Sequence, residues 1–299
     1  MIETIKKHAD VLEDVPLNKY NTYHIGGITK YLVSPLSIND LVEVIKILDE
    51  NKVPYFILGN GSNVVLSSKK FEGAIIRLNN IAGIAIHPEL SRAYAEAGAM
   101  FPKLVMESIE KGLTGLEFAG GIPGTIGGSI YSNAGAYNAC IMDYVESVTV
   151  LNKETYEIEE LEHEDITYSY RNTMFKEEKK YIVLSAKFYL KPGEKASSLA
   201  ILEDRKRRRL ESQPLEYPSA GSVFRNPDGD FAGRIIEECN LKGTSIGGAE
   251  VSEKHANFII NKDNATSDDV YELINLVHDT VLEKTTVDLK IEQEFIGWD

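Results

Sequence analysis

The feature that most restricts the fold of this 299-residue chain is a glycine-rich stretch at 120–135. It reads Gly120-Gly121-Ile122-Pro123-Gly124-Thr125-Ile126-Gly127-Gly128-Ser129, then, three residues on, Asn133-Ala134-Gly135. Glycine loses more conformational freedom on folding than any other residue, so such density is unfavourable unless the backbone must pass close to something flat or anionic. A glycine-rich crossover with no ligand is the plainer alternative. A second loop, Gly59-Asn60-Gly61-Ser62-Asn63, follows the apolar run Tyr55-Phe56-Ile57-Leu58. Its glycines can turn N–H groups inward, and Ser62 and Asn63 add neutral donors. It is not a Walker A loop, because no Gly-Lys-Ser/Thr follows. Nor is it a GxGxxG fingerprint, because Val64 holds the last glycine position. Taken alone, a tight strand–strand turn explains it equally well. Two phosphate-type loops in one region suit a dinucleotide better than a mononucleotide.

Length allows two or three domains. With 32 basic and 46 acidic residues the net charge is −14, which argues against nucleic-acid binding. A polyanionic cofactor must then be held by backbone N–H groups and a few placed cations. No stretch approaches the roughly 20 apolar residues of a membrane span. The opening MIETIKKHADVLEDV has no continuous apolar core of a signal peptide, so a cytoplasmic protein without membrane insertion is expected. Cys140 and Cys239 show neither CxxC nor metal-ligand spacing and read as incidental thiols. The six histidines are scattered without an HxxxH pair, so no metal is expected.

Periodicity predicts a helix over 38–51 behind a Ser37 cap, with strands at 55–58 and 73–78 and a helix at 102–111 closed by Gly112. Further strands fall at 144–151 and 181–190. Residues 194–212 read as a charged helix or linker at a domain boundary. Beyond it come helices at 230–240 and at 267–284, the latter capped by Ser267, and strands at 257–261 and 287–297.

The two glycine loops, with Gly115-Leu116-Glu117-Phe118-Ala119 leading into the second, resemble the FAD-binding region of the UDP-N-acetylenolpyruvoylglucosamine reductase family. The resemblance begins at Asn21-Thr22 and Gly26-Gly27. It continues through Tyr170-Arg171, Pro218-Ser219-Ala220-Gly221-Ser222-Val223-Phe224-Arg225-Asn226-Pro227 and Ser252-Glu253-Lys254-His255-Ala256-Asn257-Phe258, and ends over 289–297. It implies an α+β fold: a two-part flavin domain of the PCMH, vanillyl-alcohol-oxidase-like type at 1–78 and 79–195, and an α+β substrate-binding domain at 200–299. The last residues have room to pack back on the flavin domain. It also implies non-covalent FAD, NADPH as co-substrate, and the enolpyruvyl ether of a UDP-aminosugar as substrate in bacterial peptidoglycan precursor synthesis. A monomer is expected. FAD falls to Gly59, Asn60, Gly61, Ser62, Asn63, Gly121, Ile122, Pro123, Gly124, Thr125, Gly127, Gly128, Asn133, Ala134 and Gly135.

In the implied reaction a hydride reaches the enolpyruvyl β-carbon through the flavin and a proton reaches the α-carbon. The protein must stabilise enolate-like charge and deliver that proton. By resemblance Ser222 is the proton donor. Its setting is not a GxSxG elbow, since Phe224 closes the motif. A serine that merely caps a turn is the simpler reading of that hydroxyl. Arg171 supplies fixed cationic donors, and Glu292 orients or polarises the catalytic groups. The family's usual proline before that glutamate is replaced by Ile291, and Glu294 lies two residues on, but spacing to Ile296-Gly297 favours Glu292. Tyr170, Arg225, Asn226, Lys254, His255 and Asn257 are expected to bind the UDP-sugar. The basic run 205–209 suits either the NADPH 2′-phosphate or a solvated helix face. Only 50 residues separate Arg171 from Gly221, which resembles the shorter family type without a tyrosine-bearing loop. The rivals are another FAD-dependent sugar or alcohol oxidase of the same fold and a non-catalytic nucleotide-sugar binder. Such oxidases often tether flavin to a histidine or cysteine near the glycine loops. None lies in 57–66 or 119–138, although Cys140 is close by.

Overall fold

Leu41, Val44, Ile45 and Leu48 recur at helical spacing, and in the computed structural model, which describes residues 1–298, all four are buried on one face of the Ile38–Glu50 helix. Ser37 caps it as expected, its Oγ accepting the Asp40 N–H at 3.1 Å. The chain divides into two compact units: 1–13, 31–60 and 72–207, and 14–30, 61–71 and 208–299. This differs from the three-region division read from sequence. Residues 61–71 cluster with the C-terminal unit because Val64–Leu66 pairs in parallel with Glu294–Ile296, with Phe295 opposite Val65. Glu294–Ile296 therefore pairs, within the second unit, with a segment expected from sequence in the first flavin region.

The first unit is built on a five-stranded antiparallel sheet in the order Ile158–Glu162, Val145–Asn152, Tyr181–Tyr189, Arg92–Glu96, Ile84–His87. Alternation inside Tyr181–Tyr189 gives way to a continuous buried run from Ile182 to Ala186. That pattern belongs to a strand covered on both faces. The Phe101–Glu110 and Ile126–Tyr131 helices contribute Phe101, Leu104, Val105, Ile126 and Ile130 to the same core. Residues 195–212 form one helix, not a linker.

In the second unit the Ser267–Thr285 helix lays Val270, Leu273, Ile274, Val277 and Val281 into a core shared with Ile235, Ile236, Val251 and Ile259. Its cap is Thr266 rather than Ser267. Thr266 Oγ1 accepts the Asp269 N–H at 3.1 Å, and the Asp269 carboxylate accepts the Thr266 N–H at 2.8 Å. Thr266 has the extended backbone a cap needs, whereas Ser267 is already the first helical residue and is buried. The expected long strand at 287–297 shrinks to Glu294–Ile296. Before it the chain makes only one isolated bridge, Ile291 to Phe224. Among the described residues no helix is long and apolar enough to cross a membrane.

Candidate active site

In the first unit the start of the first glycine loop, Gly59 and Asn60, meets the second loop. A Cβ on Gly59 would stand 2.7 Å from Thr125 Oγ1, so only glycine lets the strand end approach the second loop this closely. Asn60 Nδ2 donates to Pro123 O at 2.7 Å. Thr125 caps the short Ile126–Tyr131 helix, accepting the Gly128 N–H at 3.3 Å. Gly121, Pro123 and Gly128 remain exposed. Beneath them two polar atoms are buried without a hydrogen-bond partner: Ser129 Oγ, on a residue 2% exposed, and Asn133 Oδ1, on a residue 4% exposed. Such atoms are unfavourable unless something else satisfies them. An exposed glycine backbone above orphaned neutral groups fits the polar edge of a dinucleotide cofactor, and the expected residues 121–125, 127, 128 and 133–135 make up this segment. Ser129 was not among them.

Arg171 sits at the tip of a two-residue hairpin. Tyr168 faces Thr173 and Ser169 faces Asn172, leaving Tyr170 and Arg171 as the turn. Arg171 takes a left-handed backbone (φ 58°), and its guanidinium lies 5.6 Å from the centre of the exposed Tyr170 ring. Asn133 Nδ2 donates to Ser169 O at 2.9 Å, so the hairpin is tied to the glycine segment.

In the second unit Ser222 lies on a short extended run held from both sides. On one side Ser222 bridges Phe258, and Val223 N–H donates to Asn257 O at 2.9 Å. On the other, Glu292 N–H donates to Val223 O and Arg225 N–H to Lys290 O, both at 2.8 Å. Ser222 and Glu292 are therefore brought onto adjacent backbone. The Ser222 hydroxyl is half-buried and makes no hydrogen bond to a described residue. Gln293, which sequence reasoning passed over between two glutamates, is buried. Its Nε2 reaches Ala220 O at 3.2 Å, and its Oε1 accepts from Tyr23 OH at 3.3 Å. Gly61, Ser62 and Asn63 also fall in this unit. A Cβ on Gly61 (φ 66°) would meet Tyr20 O at 2.4 Å, and Asn63 Nδ2 donates to Glu292 O at 3.2 Å. Glu294 N–H instead donates to Asn63 O, which places Glu292, not Glu294, beside the serine run.

The expected sugar-binding residues separate into two groups. Asn257 commits both ends of its amide to the scaffold. Its Oδ1 accepts Phe224 N–H at 2.9 Å and its Nδ2 donates to Phe224 O at 2.8 Å, so its amide clamps the serine run from within. Lys254 Nζ donates to Leu210 O at 2.7 Å and faces Glu216 at 3.5 Å. His255 is pushed below its ordinary pKa by burial, and its Nδ1 accepts the Asn257 N–H at 3.2 Å. A neutral ring with Nδ1 so used carries its proton on Nε2 and presents one donor. Arg225 keeps a buried Nε without a hydrogen-bond partner, and the exposed Asn226 has its amide nitrogen uncommitted, its Oδ1 accepting Ala232 N–H at 3.0 Å.

The role of one further residue escaped sequence reasoning. Glu117 is buried, which disfavours its charge. Bonds from Ser198 Oγ (2.5 Å), Thr114 Oγ1 and the Gly115 N–H (2.8 Å) outweigh that and hold its carboxyl below the usual range. It fastens the approach to the glycine segment onto the Lys195–Ser212 helix. In the basic run, the Arg205 guanidinium lies 4.7 Å from the Tyr137 ring centre and Arg207 pairs with Asp204 at 2.5 Å.

Comparison with known proteins matches these regions in order. The family model for the C-terminal domain of UDP-N-acetylenolpyruvoylglucosamine reductase matches residues 213–296, and that for an FAD binding domain matches 29–160. The UDP-N-acetylenolpyruvoylglucosamine reductase of Caldicellulosiruptor bescii is 44% identical over 290 residues, 96% of this chain and 91% of the relative. That of Clostridium novyi is 40% identical over 296 residues, 99% and 95% respectively. The crystal structure of UDP-N-acetylenolpyruvylglucosamine reductase from Thermus caldophilus superposes with a TM-score of 0.80 at 30% identity, covering 96% of this chain and 98% of that one. A glucose oxidase variant of Phl p 4, at 12% identity and a TM-score of 0.51 over 72% of this chain and 50% of its own, shares the fold alone. The α+β flavin-domain architecture expected from sequence is the one observed.

Proposed function

The chain belongs to the UDP-N-acetylenolpyruvoylglucosamine reductase family, and we propose that it reduces UDP-N-acetylglucosamine enolpyruvate to UDP-N-acetylmuramate with Ser222 as the proton donor. The observation that carries this reading is the Ser222 hydroxyl itself: fixed through its backbone on both sides, half-buried, and without a hydrogen bond to a described residue. A hydroxyl that merely capped a turn would be bonded to that turn.

Bound FAD supplies hydride transfer from NADPH to the enolpyruvyl β-carbon. The chain's own residues handle charge and proton. Ser222 Oγ gives its proton to the α-carbon, and Glu292, on the neighbouring backbone, polarises the groups that replace it. Arg171 supplies fixed cationic donors that stabilise the negative charge spreading onto the substrate carboxylate. Arg225, Asn226 and neutral His255 supply donors to the UDP-sugar, with Tyr170 as an aromatic surface and Lys254 as a nearby cation. The flavin is held by Gly59, Asn60, Gly61, Ser62 and Asn63 and by residues 121–125, 127, 128 and 133–135, without a covalent tether. The orphaned Asn133 Oδ1 supports that placement. UDP-sugars and NADPH are cytoplasmic metabolites, so the enzyme works there, as a monomer and outside the membrane.

The test is an anaerobic spectral titration of the purified protein. A flavin double band that bleaches with NADPH and returns on adding the UDP-enolpyruvyl sugar supports the proposal. A protein that cannot be reconstituted with FAD, or whose reduced flavin ignores the sugar, removes it.

A further inference from the structure

Resting on the catalytic role proposed for Arg171, we infer that Thr173 is a positioning residue that fixes the arginine hairpin on the flavin segment. Thr173 is the second residue beyond the Arg171 turn, it pairs back across the hairpin to Tyr168, and it is fully buried (0% exposed). Its hydroxyl spans 42 residues of sequence to donate to Tyr131 O at 2.8 Å, at the last turn of the Ile126–Tyr131 helix. On the opposite strand Ser169 O accepts Asn133 Nδ2 at 2.9 Å. Both hairpin strands are thus pinned, one residue from the turn on the Ser169 side and two on the Thr173 side. Both pins end in the 126–133 stretch, whose own Asn133 Oδ1 and Ser129 Oγ are buried without partners.

This geometry decides where a guanidinium can stand. A two-residue turn with a left-handed Arg171 is a short lever, and its pivot is the pair of bonds at its base. Arginine is useful for charge stabilisation only when its planar donors are pre-aimed, because reorganisation at the moment of reaction erodes the benefit. Loss of the Thr173 bond frees one side of the pivot while leaving the Asn133 bond, the glycine loops and the core intact. Charge stabilisation on the substrate should suffer more than the cofactor's own binding. Valine at 173 keeps volume and branching and deletes only the hydroxyl; serine keeps the hydroxyl and deletes a methyl.

The experiment measures the two half-reactions of the FAD-loaded enzyme separately by stopped-flow absorbance, for wild type, Thr173→Val and Thr173→Ser. Bound flavin and melting temperature are recorded alongside. The expected result is reoxidation by the UDP-enolpyruvyl sugar slowed about 10–100-fold in Thr173→Val. Flavin reduction by NADPH should stay within about threefold, and Thr173→Ser should recover most of the loss. If Thr173→Val does not accumulate with flavin bound, Thr173→Cys, which keeps the size and a weak donor, should reoxidise slowly while remaining loaded. Wild-type reoxidation in Thr173→Val, or equal slowing of both half-reactions that Thr173→Ser does not repair, overturns the positioning role. A wild-type enzyme whose reduced flavin the sugar does not reoxidise refutes instead the proposed function on which it rests.

Discussion

Asn133 in the first unit and Asn257 in the second are both buried, both 4% exposed, and both read from the sequence as ligand donors. Asn257 spends Oδ1 and Nδ2 on the two backbone groups of one residue, Phe224. Asn133 spends only Nδ2, on Ser169 O, and keeps Oδ1 unpaired. A buried amide with both ends bonded to the protein is scaffold, whereas one left half-satisfied has been left so for a ligand. The two units follow the same division. The first offers a cofactor bare backbone and orphaned side-chain atoms; the second fixes the Ser222 run through its backbone on both sides and leaves the Ser222 hydroxyl and Arg225 Nε without a partner among the described residues.

The sharpest way to break this division is at the reactive cation of the first unit. Arg171→Ala should slow reoxidation of the reduced flavin by the sugar about 10²–10³-fold, as removal of a preorganised charge-stabilising donor does. Flavin content should be unchanged, and a loss of flavin would show Arg171 to be part of the cradle. Next, Asn257→Ala strands both backbone groups of Phe224, which costs about 1–3 kcal/mol each. Its melting temperature should fall by roughly 4–12 °C. A variant that melts normally but binds the UDP-sugar poorly would return Asn257 to the substrate. Asn133→Ala should do the converse, weakening FAD by about tenfold as one hydrogen bond is lost, with a smaller change in melting.

The smallest effect concerns pH. His278 sits between Asp279 (2.9 Å) and Asp288 (3.1 Å), which raise its pKa above the ordinary 6.5, and Asp288 also pairs with Lys290. A raised folded pKa gives stability that is complete below 6.5 and is lost as pH rises through the folded value. His278→Gln should therefore lower the melting temperature by about 1 °C at pH 6 and by nothing at pH 9. A deficit that grows with pH would reverse the assignment.

What the sequence made legible follows from where each function is written. Backbone function shows in composition, so the glycine segment and its two-loop partnership were visible, down to the Ser37 cap. Side chain-to-backbone bonds across long sequence separations leave no local pattern. Gln293 reaches Ala220 73 residues away, and Thr173 reaches Tyr131 across 42. Neither stands out beside its neighbours. Asn257 was visible but its two bonds to Phe224 were not, because a motif says which residue matters and not where its hydrogen bonds go. The Thr266 cap was missed by one residue because either hydroxyl satisfies the pattern, and only the backbone angles choose between them. The residues 287–293 alternate like a strand yet find one bridge instead of a ladder.

The most direct test of the proton-donor assignment is single-turnover reoxidation of NADPH-reduced Ser222→Ala by the UDP-enolpyruvyl sugar. The predicted result is a loss of about 10²–10⁴ in that step, with flavin reduction by NADPH nearly unaffected. Reoxidation at the wild-type rate, or an equal fall in both half-reactions, would contradict it and leave Ser222 a structural residue.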